Sequence, residues 1–394
     1  MDEARAAHEL AYDDEDEYRP EPEPAAAQPA AWRDGSTRIG IHTSIAGDIT
    51  SSLESARKLG CNALQIFSAS PRMWPRAGSR IADADAARFR ARRAELALGP
   101  LVIHTNYLVN LASSDPVLRT RSIQTFHDEM VRALALGADF LVVHPGSAGS
   151  AAPADAIHAV AQGLRQASRG IRFADGDVNH KNIDGAGRTP WGGLHVLLEN
   201  TAGMGSAVGS RFEDLRVILD EARELPLGVC LDTAHAFESG YEIHTAAGLA
   251  QTIADLDRAV GLARVTVVHV NDSKTPLGSR VDRHEHIGRG KIGLDAFRRI
   301  LTHPQLAAGG RSGLAGRAFI LETPIDEPGD DRRNVRTLWE LAGLNAKQAP
   351  DAENGFSMLR AAARAANTRD GQKEPATKTN KRANGTKVAK KIRA

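Results

Sequence analysis

Apolar positions in the middle of the chain follow two rhythms that take turns. Short aliphatic or β-branched runs recur: RIGIHT from Arg38, ALQIFS from Ala63, PLVIHT from Pro100, FLVVHP from Phe140, HVLLENT from His195, LGVCLDT from Leu227, VTVVHVN from Val265 and AFILET from Ala318. Longer stretches such as DITSSLESARKLG and SIQTFHDEMVRALALG lie between them, with apolar residues three and four apart and a closing glycine. Near-continuous apolar runs read as strands buried on both faces, and the three-and-four spacing reads as helices that cover them. Strand and helix alternating eight times predict an α/β chain closed as a (β/α)8 TIM barrel. The alternative, a doubly wound open sheet, lacks a Gly-rich phosphate fingerprint after its first strand. Asp48 is expected to cap the first helix, and Gly60 to stand just past its end.

Composition changes the picture at the two ends. Residues 1–36 are rich in Ala, Pro and acid, with DDEDE from Asp13, and bury too little apolar surface to offset the entropy of ordering; a disordered tail is expected there. The chain after the barrel domain, 37–349, is the mirror case. Residues 350–394 are expected to be mostly disordered, and from Arg369 they are rich in Lys and Arg. The opposite ends leave a formal net charge of +1, so gross electrostatics announces no nucleic-acid partner. Two cysteines, Cys61 and Cys230, exclude a disulfide framework and a Cys-rich zinc module, as a reducing cytoplasm would allow. No apolar run approaches the roughly 18 residues a membrane span requires, and no signal-peptide pattern opens the chain.

The chemistry lies in how the strands end. Seven of the eight runs finish on a residue that can bind metal: His42, His104, His144, Glu199, Asp232, His269 and Glu322. Parallel strands place all these ends on one face, where the loops of a TIM barrel build its active site. Carboxylates gathered in a cleft repel one another and are costly to desolvate, and a metal cluster compensates both effects. Imidazole and carboxylate without thiolate suit catalytic Zn2+, Mn2+ or Fe2+ better than a closed structural zinc. His235 follows Asp232 by three residues. The loop after the seventh strand carries SRVDRHEHIGRGKIG, with Asp282, His284 and His286 at alternate positions.

The motifs VIHTNYLVNL, VVHPGS, LLENTAGMGS, GVCLDTAHAFESGY, VHVNDSKTPLGSRVDRHEHIGRGKIG and ILET resemble the endonuclease IV family, zinc-dependent apurinic/apyrimidinic endonucleases built on a xylose isomerase-like TIM barrel. The resemblance runs from about Thr37 to Leu344. It implies a DNA-repair enzyme of base excision repair that hydrolyses the phosphodiester 5′ to an abasic site, leaving a 3′-hydroxyl and a 5′-deoxyribose phosphate, and that also cleans blocked 3′ ends. It implies three zinc ions, with Mn2+ an alternative at one or more positions. His104, His144 and Glu199 would hold the first; Glu199, Asp232, His269 and Glu322 the second; His235, Asp282 and His284 the third. Four carboxylates and five neutral imidazoles around three such ions leave a local charge of about +2, enough to attract a phosphodiester. Glu199 and Glu322 are the implied catalytic carboxylates, and Arg72 and Tyr107 the residues implied to enter the DNA at the lesion. The implied partner is double-stranded DNA with abasic sites or blocked 3′ ends. The protein is expected to be monomeric, in a nucleoid-associated cytoplasmic location, with no membrane partner.

Two other readings compete. A sugar isomerase or epimerase of the same barrel type would use one or two metals and would not need Asp282 and His284 beside His235. A non-catalytic lesion-binding protein would have lost metal ligands, and all nine are present. The polar insertion at 172–193 precedes a strand and is therefore expected on the face opposite the site. His42 is expected to line the site, and His286 to be a supporting or DNA-facing residue.

Overall fold

The computed structural model describes residues 37–173, 193–306 and 317–343. The expected acidic and basic tails, and most of the 172–193 insertion, lie outside these residues. Within them the eight apolar runs become strands: β1 Arg38–Ile41, β2 Leu64–Phe67, β3 Leu101–His104, β4 Phe140–Val143, β5 His195–Glu199, β6 Leu227–Asp232, β7 Val265–His269 and, last in the chain, β10 Ala318–Leu321. A two-residue antiparallel ladder, β8 Asp272–Ser273 with β9 His284–Glu285, stands apart in the loop after β7.

The barrel strands are parallel and ordered β1-β10-β7-β6-β5-β4-β3-β2. The seam between β1 and β2 is spanned by a parallel bridge of His42 with Gln65, where the Thr43 amide donates to the Gln65 carbonyl at 2.9 Å. The seam is tight because residue 40 is glycine: a Cβ there would come within 2.6 Å of the Ala63 carbonyl oxygen. This is the TIM barrel expected from the alternation of the two rhythms.

The covering helices follow from local sequence. In α3, Pro116–Ala135, the Asp115 side chain accepts from the amides of Val117 and Leu118, and Pro116 occupies the first turn, where its missing N–H is no loss. In α4, Pro153–Ala167, residues Ala156, Val160, Gly163, Leu164 and Ala167 make one buried stripe. The expectation for Asp48 needs correction. Helix α1 runs Ser51–Lys58 with Thr50 at its cap position. The amides of Ser51, Ser52 and Leu53 reach back three residues, so a tighter turn precedes the helix. Asp48 caps that turn, accepting from the Thr50 amide at 2.9 Å. Gly60 does stand past the helix end, with φ of +87°.

Two apolar layers hold the barrel. Outside the sheet, Ile39, Ile41, Ile66, Leu101, Ile103, Leu141 and Val143 pack against helices. Inside it lie Ala63, Val102, Phe140, Val142, Leu197, Cys230, Val267, Ala318 and Ile320. Phe140, fully buried, contributes on the order of 2–3 kcal/mol through its burial alone. Inner residues recur at every second position, because side chains alternate across a strand. One step further along each inner row lies His104 after Val102, His144 after Val142, Glu199 after Leu197, Asp232 after Cys230, His269 after Val267 and Glu322 after Ile320. The candidate site is thus the next layer of the barrel interior.

Candidate metal centre

The layer at the strand ends brings all nine expected ligands together. His104 Nε2 and His144 Nε2 each lie 3.2 Å from Glu199 Oε2. His269 Nδ1 lies 2.9 Å from Glu199 Oε1, 3.2 Å from Glu322 Oε2 and 4.0 Å from Asp232 Oδ2. His235 Nε2 faces Asp282 Oδ2 at 3.3 Å, and His284 Nε2 faces Asp282 Oδ1 at 3.5 Å and Asp232 Oδ2 at 3.8 Å. Donor atoms gather tightly enough for one ion in His104/His144/Glu199, in Glu199/Asp232/His269/Glu322 and in Asp232/His235/His284. Asp282, half-exposed, stands at the rim of the last group and touches both of its histidines.

Local structure explains the placing of His235. Asp232 ends β6 and caps α6, Thr233–Ser239, accepting from the His235 amide at 2.8 Å. The first turn of α6 therefore returns His235 to the side of Asp232. His284 lies in β9 and Asp282 just before it, so an extended segment turns both toward the same place.

The histidines show how their protons are arranged. A backbone carbonyl can only accept, so an imidazole nitrogen facing one carries hydrogen. His104 Nδ1 donates to the Thr105 carbonyl at 2.8 Å, His235 Nδ1 to the Asn200 carbonyl at 2.9 Å, and His284 Nδ1 to the Glu322 carbonyl at 3.2 Å. In the neutral ring the other nitrogen is then a lone pair, and in each case it faces the carboxylates. His284 Nε2 is buried with no hydrogen-bond partner among the described residues. A buried nitrogen without a partner, ringed by carboxylates and fixed from behind, fits a cation.

Electrostatics points the same way. Burial works against charge on His269, yet the carboxylates of Glu322 and Glu199 hold it well above the usual imidazole range. Burial also opposes charge on His235, and Asp232, Asp282 and Glu199 outweigh it. Burial alone would raise Glu199, but His269, His144 and His104 bring it well below the ordinary carboxylate range. Glu322 is depressed against its burial mainly by His269. Without a metal the carboxylates favour protons on His104, His235 and His269, and an ion must displace those protons to bind. Cys230 also borders Glu199 and His269. Burial pushes its thiol up to about 12, so it remains a protonated core residue at neutral pH.

Three supporting residues have no counterpart in the sequence reading. Asn271 Nδ2 donates to Asp232 Oδ2 at 2.6 Å while its Oδ1 accepts from the Glu322 amide at 2.8 Å. Asn200 exchanges hydrogen bonds with the backbone of Asp232, at 2.7 and 3.1 Å. Gln65, fully buried, touches His42, His269 and Glu322 together. Their common signal is an amide at or beside an inner position of an apolar run. His42 lines the site, as expected, but its contacts are Gln65 and Glu322. His286 is buried and does not face outward: Asn334 donates to its Nδ1 at 3.0 Å, and its Nε2 faces Asp326 at 3.3 Å and Asp330 at 3.6 Å. It ties the β9 loop to α9, Asp330–Leu341.

A cavity of about 520 Å³ opens over the cluster, lined by His42, His104, Tyr107, His144, His284 and Glu322 among others. Tyr107 is 61 % exposed and rests edge-on against Phe67, at a centroid distance of 5.3 Å. Arg72 is exposed nearby on the loop after β2. That loop is held by Asn106, whose amide donates to the Ser70 and Met73 carbonyls at 2.8 Å, and by the Tyr107 amide, which donates to the Pro71 carbonyl at 3.1 Å.

A family model described as a xylose isomerase-like TIM barrel matches residues 53–344. A probable endonuclease 4 of Solibacter usitatus (strain Ellin6076) is 49% identical over 310 residues, covering 78% of this chain and 97% of that protein. A probable endonuclease 4 of Nitratidesulfovibrio vulgaris (strain DP4) is 38% identical, covering 77% and 99%. The crystal structure of endonuclease IV from Thermus thermophilus superposes with a TM-score of 0.62 at 38% identity, covering 78% of this chain and 99% of that one. A D-tagatose 3-epimerase-like protein superposes with a TM-score of 0.53 at 17% identity, a likeness of fold alone.

Proposed function

The chain belongs to the endonuclease IV family of xylose isomerase-like TIM barrels, and from that premise we propose that it is a metal-dependent DNA-repair enzyme that hydrolyses the phosphodiester 5′ to abasic sites. The product would be a 3′-hydroxyl and a 5′-deoxyribose phosphate, and blocked 3′ ends would be cleaned by the same hydrolysis. The observation that carries this reading is the convergence of nine metal-competent side chains at the strand ends beneath and around one cavity, with three histidines anchored from behind.

His104, His144 and Glu199 would hold one zinc. Glu199, Asp232, His269 and Glu322 would hold a second, and His235, Asp282 and His284 a third, with Mn2+ an alternative. Bound there, such ions supply activated water and stabilise charge developing on phosphate oxygens. The chain's own residues do the rest. Glu322 has one oxygen facing Gln65 and the other facing His269, so it is fixed to orient the attacking water and take its proton. Glu199 spans the first two groups and keeps them in register. Tyr107 and Arg72, exposed beside the cavity, fill the space an unstacked abasic nucleotide leaves in the duplex. The sugar-epimerase reading shares the barrel but leaves His235, Asp282 and His284 without a task.

The decisive experiment uses an end-labelled duplex with one abasic analogue that cannot β-eliminate. Zinc-loaded protein should cut on its 5′ side and leave an end that a polymerase extends. Intact substrate after incubation with metal-loaded protein removes the proposal.

A further inference from the structure

Gln65 stands in the barrel wall with no water-facing surface, at the seam between β1 and β2. Its amide meets three site residues. Nε2 lies 2.5 Å from Glu322 Oε1 and 3.0 Å from His42 Nδ1, while Oε1 lies 2.8 Å from His269 Nε2. One arrangement of protons satisfies all three contacts. A carboxylate accepts, so the amide nitrogen faces Glu322. The amide oxygen then accepts the hydrogen on His269 Nε2, which makes His269 Nδ1 the lone pair facing Glu199, Glu322 and Asp232 when the ring is neutral. The second amide hydrogen goes to His42 Nδ1, so the His42 hydrogen is on Nε2. That nitrogen is buried and has no hydrogen-bond partner among the described residues.

We propose that Gln65 is a positioning residue that sets the protons on two histidines at once, turning the His269 lone pair to the metal cluster and fixing His42 as an Nε2–H donor beside the cavity. His42 is thereby a strand-end histidine barred from metal binding: its Nδ1 is taken by an amide hydrogen and its Nε2 bears a proton. The inference rests on the proposal that the cluster binds divalent metal.

The experiment follows zinc and histidine protons in the full chain. Zinc affinity is measured by competition with a chromophoric chelator, and histidine tautomers by 15N chemical shifts with labelled histidine. Wild type should show His42 protonated on Nε2; His42 protonated on Nδ1 overturns the proposal without any substitution. Gln65→Met keeps the length of the side chain and removes its hydrogen bonds. It should weaken zinc binding about tenfold to a hundredfold, the usual effect of losing a partner behind a ligand, and should release the fixed His42 tautomer. Gln65→Glu keeps an acceptor for His269 but offers no hydrogen to His42, so the His42 tautomer should remain released. Affinity of Gln65→Met within twofold of a tightly binding wild type refutes the inference alone. A wild type that takes up no zinc refutes the metal reading and this inference with it.

Discussion

Asp272 organises the loop that carries His284, and its replacement by alanine should loosen the third ligand group before it loosens the barrel. The carboxylate is fully buried and accepts five backbone hydrogen bonds. Gly288, Gly290 and Gly293 donate to Oδ2 at 2.9, 3.0 and 3.4 Å, and Ser273 and Ile292 donate to Oδ1 at 2.9 Å each. The loop fits so closely that a Cβ on residue 290 would come within 2.4 Å of Asp272 Oδ1. A hydrogen bond to a charged group is worth about 1.5–3 kcal/mol net, but an amide that can turn to water loses far less when its partner goes. Gly288, Gly290 and Gly293 are half-buried and can do so; Ser273 and Ile292 are buried and cannot. Burial also holds the Asp272 carboxyl above its usual range, so removing it relieves some desolvation cost. The net loss expected for Asp272→Ala is about 2–3 kcal/mol. Urea unfolding of metal-free protein measures it, and hydrogen exchange should show faster opening at residues 286–293 with little change in α3. A loss under about 1 kcal/mol, or unchanged exchange in that loop, refutes the reasoning.

Glu322→Gln, assayed on the abasic duplex at saturating zinc, should lower turnover by about 10²–10⁴, the range of a lost general base; near-wild-type turnover removes Glu322 from the catalytic set. Tyr107→Ala should leave thermal stability almost unchanged, because the ring is 61 % exposed. It should weaken binding of abasic DNA by about 1–3 kcal/mol, the worth of an aromatic against a nucleotide, as a filter-binding titration would show. In metal-free protein, His235 and the other histidines lower Asp282 to about 2 from an ordinary 3.8. A depressed carboxylate stabilises above its unfolded pKa and loses that contribution as pH falls through the folded one. His235 is raised, so its share is complete below an ordinary 6.5 and fades as pH rises through its folded value. Asp282→Asn should therefore cost most between about pH 4 and 6.5, and little at pH 2. Asp282 is 46 % exposed, so solvent screening limits the cost to about 1 kcal/mol. A cost independent of pH contradicts the ion pair.

Most of the barrel is legible in the sequence because two periods differ so clearly along the chain. Each apolar run from Arg38 to Ala318 is a strand, and the inner-face alternation carries Val102, Leu197 and Val267 directly to His104, Glu199 and His269. The ladder of β8 with β9 is not legible, since two residues a side are too few for alternation to show. Asp48 stands further from its helix than its residue type suggests, because a tight turn and a first helical turn have the same cap chemistry. Gln65 gives only the faint signal of an amide on an inner strand position, since an amide is not itself a ligand; its role exists only once β1, β2, β7 and β10 meet. His286 is an equal of His284 by spacing, but its neighbours come from α9, far along the chain, and only folding brings them to it.

The upper layer of the barrel occupies positions that a purely structural protein of this shape would fill with valine and leucine. Glu199, Asp232 and His269 are as deeply buried as Leu197, Cys230 and Val267 beneath them. Activity and robustness therefore compete for the same places. A chain with apolar residues throughout that layer, and at the buried amides of Gln65, Asn200 and Asn271 that support it, should resist heat better than the native metal-free protein while having lost its chemistry. Selection for catalysis keeps those places polar.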